Sequence, residues 1–174
     1  FNLPQMVENL VILNLPHPNG LGRELATNTE QQQNSGYART FIEGSPSDPD
    51  ILFGGPMTAE TLSFWVADQD ARLKYVEAFE QSSFAGMLAY YKQNYPRASA
   101  DTPPPPPAPQ LNIPLLVFHG LQDTALHSDG LNNTWDWNDM DTTIVSAPTA
   151  NHFVQQDAAE LVTTTMRWWL KARQ

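Results

Sequence analysis

Asp123 and His152 are the residues of this sequence whose types and placement best suit proton chemistry. Asp123 lies in His119-Gly120-Leu121-Gln122-Asp123-Thr124-Ala125-Leu126, just past an apolar run from Pro114 to Phe118. His152 lies in Thr149-Ala150-Asn151-His152-Phe153-Val154, just past a second run from Thr142 to Ser146. A neutral imidazole with an ordinary pKa of about 6.5 takes a proton from water near neutral pH, and a carboxylate beside it fixes its tautomer and steadies the cation. A base held in this way is worth about 10² to 10⁴ in rate. Taken singly, a turn-capping aspartate and a surface histidine would describe the same residues. The two matched strand ends favour the functional reading, because functional side chains collect at the carboxyl edge of an open α/β sheet.

The elements that must position this pair are legible as apolar runs. Leu10 to Leu15 is a short β-prone stretch stopped by Pro16-His17-Pro18-Asn19-Gly20, and together with the runs before Asp123 and His152 it predicts three strands apolar enough for a parallel sheet covered on both faces. Between the second and third strands, Ser128 to Asp141 has room for a short crossover helix. After the third, Gln155 to Arg173 carries Ala158, Leu161, Val162, Met166, Trp169 and Leu170 at helical spacing, with acids early and bases late, as an amphipathic helix should. Pro16 to about Gln110 is far too long for a connection inside a sheet. It predicts an inserted domain with helices over Arg23 to Glu43, Thr58 to Val66, Ala71 to Phe79 and Ser83 to Asn94. Its exit, Ala100 to Pro109, reads as a stiff polyproline spacer.

Composition narrows the function classes. A chain of 174 residues, 41% hydrophobic and 16% charged, can bury a real core, roughly 70% of its unfolded surface. With 19 acidic against 9 basic residues and a net charge of -10, it would meet repulsion from a phosphate backbone, so nucleic acid is not an expected partner. The absence of cysteine excludes disulfides and thiolate catalysis. No apolar run approaches the roughly 20 residues of a bilayer span and no signal-peptide pattern opens the chain, so a soluble, cytoplasmic protein with no membrane partner is expected. His17 sits in a proline turn and reads as structural. His119 precedes a strand-end glycine, and His127 lies near Asp129 without zinc-site spacing, so no metal is expected. Gly20-Leu21-Gly22 lacks the rest of a phosphate loop, and no cofactor is expected.

The segments Leu10 to Pro18, Phe118 to Trp137 with its Gly130-Leu131-Asn132-Asn133-Thr134-Trp135-Asp136-Trp137, and His152 to Leu161 resemble the C-terminal half of epoxide hydrolases in the α/β-hydrolase superfamily. The likeness extends over nearly the whole chain and is least clear from Ser45 to Phe79. It implies an α/β fold in which about three parallel strands form the C-terminal part of a hydrolase sheet. Residues 1–16 and 111–174 would be core, and 17–110 a helical cap with its proline-rich exit. The acid and histidine follow the family's chain order of nucleophile, acid, histidine. In that family an aspartate opens the epoxide while two cap tyrosines hold the ring oxygen. Tyr91, in Ala89-Tyr90-Tyr91-Lys92, matches the family's aromatic-Tyr-basic motif, and Tyr37, in Gly36-Tyr37-Ala38-Arg39, resembles the other. A phenol with pKa near 10 stays protonated at neutral pH and can stabilise a developing alkoxide. Tyr90 and Tyr95 are assigned to packing, their offsets directing them elsewhere on the helix or to its end. Phe153 and Leu126 are candidate pocket-lining residues, with core packing equally open to them.

The resemblance also implies a part not found in these residues. No nucleophile elbow, the sharp strand-to-helix turn bearing aspartate or serine, occurs here. Phe1 starts about where the helix after the nucleophile would end, without an initiator methionine. The expected partner is therefore an N-terminal half bearing the nucleophile, on the same polypeptide, a cleaved chain or a swapped copy, and the expected substrate is a small hydrophobic epoxide. Haloalkane or haloacid dehalogenation uses the same ester chemistry and is the nearest alternative. A non-catalytic fragment or interaction module is the alternative from another class.

Overall fold

The computed structural model describes residues 4–52, 54–95 and 106–174. The expected starting point at Phe1, the helix-breaking Pro96 and the spacer from Ala100 through residue 105 lie outside the described residues. Three strands, β1 (Leu10–Leu13), β2 (Leu115–Gly120) and β3 (Thr142–Ala147), form one parallel sheet in the order β1-β2-β3. The register aligns Leu13 with Phe118 and Phe118 with Val145, which brings the three carboxyl ends to one edge.

Successive strand side chains point to opposite faces, and here both faces are covered. Leu116 and Phe118 of β2 pack with Val11, Val145 and Ala147 against Val154, Val162 and Trp169. Leu115 and Val117 pack with Leu10, Ile12 and Ile144 against Leu131. All six residues of β2 are buried, which is why this strand reads as a continuous apolar run rather than an alternating one. Trp169 is fully buried, its indole N–H donating to the Thr143 hydroxyl at 3.2 Å while the Arg173 guanidinium lies 3.7 Å from its ring centre. Arg173 also pairs with Asp141. No helix among the described residues is long and apolar enough to cross a membrane.

The chain forms two compact units, 1–35 with 105–174 and 36–104. The first unit holds the sheet with α1 (Pro18–Thr27), α2 (Thr29–Asn34), α7 (Val154–Asp157) and α8 (Ala159–Lys171). The second holds α3 (Gly36–Glu43), α4 (Ala59–Leu62), α5 (Gln69–Glu80) and α6 (Phe84–Asn94) around Ile51, Leu52, Met57 and Leu88. The side chains of Thr58, Asp68 and Ser83 cap α4, α5 and α6 by accepting backbone N–H groups, the role these residue types serve at helix starts.

Three helix expectations are corrected. The single helix over Arg23 to Glu43 is three helices, because Asn28 leaves helical geometry and turns its side-chain oxygen onto the N–H groups of Glu30 and Gln31. Asparagine competes for backbone groups in this way and breaks helix interiors. The crossover from Ser128 to Asp141 contains two short 3-10 turns, Ser128–Leu131 and Thr134–Trp137, separated by Asn133 in the left-handed region, φ 68°. The C-terminal helix is broken at Ala158, φ -130° and ψ 44°, and Asp157 at the break accepts the N–H of Asn151 at 2.8 Å.

Candidate active site

The first unit brings Asp123 and His152 together. His152 Nδ1 lies 2.9 Å from Asp123 Oδ2, and the Asp123 side chain has no exposed surface, whereas that of His152 is 38% exposed. Asp123 Oδ2 also accepts from the Asn14 amide at 2.7 Å. Its other oxygen accepts the N–H groups of Ala125 and Leu126 at 2.8 and 3.0 Å. Asp123 thus caps a turn with one oxygen and meets the imidazole with the other. Burial alone would raise its pKa, but donation from His152, Asn14, Leu126 and Ala125 outweighs this and holds the carboxyl below its ordinary 3.8. It is ionised at neutral pH, and with Nδ1 donating to it, Nε2 is the nitrogen left to take a proton.

The loop carrying His152 is set by close backbone approach. Leu121 N donates to Ala147 O at 3.0 Å and Gln122 N to Ala150 O at 2.9 Å. A Cβ on Gly120 would stand 2.3 Å from Asn151 O and 2.5 Å from Ala150 O, so the strand can approach this loop only with glycine there. Phe153 meets the His152 ring edge to face at 5.1 Å. Leu126, half-buried, contributes its backbone N–H to the acid.

In the second unit, Tyr37 from α3 and Tyr91 from α6 stand edge to face with ring centres 6.1 Å apart, and Phe41 lies 5.4 Å from the first and 5.0 Å from the second. Burial, then the charge and hydrogen bond of the Tyr37 hydroxyl and the charge of Tyr90, push the Tyr91 hydroxyl up to about 12. It is protonated throughout the physiological range and available as a donor. Tyr90 is exposed. Tyr95 stands just past the end of α6, where it packs against Tyr91 with ring centres 5.6 Å apart.

No protein-family model matches the sequence, and no curated protein matches it. Solved structures do. A point mutant of an epoxide hydrolase from Bacillus megaterium superposes with a TM-score of 0.76 at 23% identity, over 98% of this chain and 63% of that one. A second mutant of an epoxide hydrolase from the same organism, complexed with its product, gives 0.79 at the same identity and coverage. A structure described as novel epoxide hydrolases of the α/β-hydrolase superfamily, from metagenomes of hot environments, gives 0.73 at 29% identity over 94% of this chain and 59% of that one.

The chain has the α/β-hydrolase fold.

It spans less than two thirds of the length of these structures, and the three strands correspond to the C-terminal part of the hydrolase sheet. Within that part of an α/β-hydrolase, Asp123 and His152 end two adjacent parallel strands. Sequence reasoning missed a third residue at this edge, Asn14, which ends β1 in the left-handed region at φ 60°. Its signal was an asparagine directly after a Leu-Val-Ile-Leu run, since asparagine tolerates that backbone better than other residues with a side chain.

The other histidines of the hydrolase fold separate clearly. His17 caps α1, its Nδ1 accepting the Asn19 N–H at 3.2 Å, and stacks on Trp137 at 5.0 Å. His127 lies among carboxylates after all. Ligand atoms of Glu24, His127 and Asp129 fall within 4.8 Å of one another, which spacing alone could not show because Glu24 comes from α1. Arg23 and Asn28 donate to the two Glu24 oxygens at 2.8 and 2.9 Å.

His119, last but one in β2, is fully buried with neither ring nitrogen hydrogen-bonded among the described residues. Burial lowers its pKa below 6.5, against opposing effects from Asp123 and from the backbone of Asn14 and Leu126. In the unfolded chain this histidine takes its proton near its ordinary pKa, and in the folded chain only at lower pH. Its contribution to stability is therefore complete above the unfolded pKa and is lost as pH falls from there toward the folded value. The slope is at most about 1.4 kcal/mol per pH unit for one proton. Urea unfolding at about pH 7.5 and about pH 5.5 is expected to show a smaller loss between the two in His119→Phe than in the unaltered protein. Buried His17, shifted in the same direction, supplies a residual slope. Equal losses in both proteins would show that His119 is not held neutral.

Proposed function

We propose that this chain is the acid-base and substrate-holding part of an epoxide hydrolase. The observation that carries the reading is the 2.9 Å contact between His152 Nδ1 and the buried Asp123 side chain at the carboxyl edge of an α/β-hydrolase sheet. The hydrogen-bonded phenols Tyr37 and Tyr91 support an epoxide as substrate, since they are donors suited to an oxygen that gains negative charge. We place the nucleophile on an aspartate outside these 174 residues, supplied by an N-terminal half of the protein. Residues 36–104 are then the cap.

The reaction runs in two steps. The aspartate carboxylate attacks a ring carbon, the carbon-oxygen bond of the epoxide breaks, and the oxygen takes a proton from a phenol, leaving a hydroxyalkyl ester and a phenolate. His152 Nε2 then removes a proton from water, and the hydroxide adds to the ester carbonyl. The diol oxygen departs with the proton from the imidazolium, and the remaining carboxylic proton returns through solvent to the phenolate. The net change is epoxide plus water to diol, with no cofactor. Phe153, which meets the His152 ring edge to face, and Leu126, whose N–H donates to Asp123, are the side chains we assign to contacting a small hydrophobic substrate.

Turnover of styrene oxide and of a chloroalkane by the protein with its nucleophile half is the direct test. Diol release without chloride release is expected. Chloride release alone would assign the ester chemistry to dehalogenation, and failure on both would favour a non-catalytic module.

A further inference from the structure

We propose that Asn14 is a positioning residue for the acid-base pair, its side-chain amide locking the Asp123 carboxylate in the orientation that presents one lone pair of Oδ2 to His152. The inference rests on the acid-base reading of Asp123 and His152 and adds a residue to it. Asn14 is buried, with 2% of its surface exposed, and holds a left-handed backbone at the end of β1. Its amide nitrogen donates to Asp123 Oδ2 at 2.7 Å and to Asn151 O at 3.1 Å, and its amide oxygen accepts Gly120 N at 3.3 Å. The amide orientation is fixed by these partners, since a flipped amide would aim its oxygen at a carboxylate and a carbonyl and its nitrogen at an N–H. One side chain therefore joins the ends of β1 and β2 to the loop after β3.

The consequence for His152 follows from counting acceptors. Oδ2 of an ionised aspartate offers two lone-pair directions. Asn14 occupies one and the imidazole the other, while Ala125 and Leu126 hold Oδ1. Removing the amide frees Oδ2 to turn and removes one of the donations that hold the Asp123 carboxyl low. A residue acting only as a clamp between strand ends would change stability and leave the tautomer and the acid alone.

Asn14→Gly tests this, because glycine keeps the left-handed backbone and deletes the amide. In labelled protein, nitrogen NMR is expected to show His152 losing its uniform Nδ1–H tautomer, and carbon NMR to show the Asp123 carboxyl titrating at higher pH than in the unaltered protein. Epoxide turnover is expected to lose about 10- to 100-fold in kcat with KM held, the range expected for one hydrogen bond to a charged group. Asn14→Asp keeps the shape and the Gly120 contact but faces Asp123 with a second carboxyl. It is expected to raise the Asp123 midpoint further and to give the same answer should the glycine variant fail to fold. A lowered Tm with the tautomer and the Asp123 midpoint unchanged in these variants would overturn the proposal. If the NMR changes appear but the unaltered protein turns over no epoxide, the function proposed above falls while the role of Asn14 stands.

Discussion

Replacing His152 with alanine is expected to lower steady-state epoxide hydrolysis by about 10² to 10⁴, with the loss confined to the second half of the reaction. In the proposed reaction the first step, attack by an aspartate nucleophile, does not use the imidazole. The variant is therefore expected to open one equivalent of epoxide rapidly and then stall with the substrate attached. Intact mass after brief mixing checks this, the expected result being a protein heavier by one substrate, with one equivalent of epoxide consumed and almost no diol released. A variant that slows without gaining mass would place His152 in the first step or in folding. Asp123→Asn should show the same trapped ester, because an amide in place of the buried carboxylate can hold the imidazole in the wrong tautomer. The two defects are not expected to add, since acid and base act as one unit.

Exchanging Tyr91 for phenylalanine is expected to act on the opposite half. Loss of one donor to a developing oxyanion costs about 3 kcal/mol, or about 10² in rate, and should appear as slower ester formation with no trapped species. Tyr37→Phe should weaken the same step. It should also release Tyr91 from the interactions with Tyr37 that help raise it to about 12, making Tyr91 the readier proton donor, so the loss in this single variant is partly offset. The double variant is expected to be the slowest, and single-turnover formation of the ester measured by rapid quench separates these outcomes. Unchanged ester formation in Tyr91→Phe would remove the phenols from the chemistry and leave them as part of the aromatic cluster with Phe41 and Tyr95.

The three strands and the parallel sheet were legible because Leu10 to Leu13 and Leu115 to Phe118 are unbroken apolar runs and Thr142 to Val145 is β-branched throughout, with β2 buried at every position and β1 and β3 partly covered. Asp123 and His152 were legible for a related reason, since each follows a strand whose end was evident. Asn14 was not, because its meaning lies in contacts to Asp123 and Asn151 more than a hundred positions away. The breaks at Asn28 and Ala158 were hidden too. Asparagine interrupts a helix through a bond that its side chain makes only in place, and alanine carries no breaking signal at all. The grouping of Glu24 with His127 needed the return of the chain past α1 before it could exist. Local pattern found the elements, and long-range pairing was the part it could not supply.

The acid loop depends on one more buried amide, that of Gln31 in α2, which donates to Ala125 O at 2.8 Å and accepts His127 N at 2.7 Å. Those contacts span 94 and 96 positions, and α2 is too short to persist unaided. During refolding, ends this distant meet only after the entropy of a large loop has been lost. Order around Asp123 is thus expected near the close of folding, and the His152–Asp123 contact, read by imidazole NMR, should trail the recovery of helical signal.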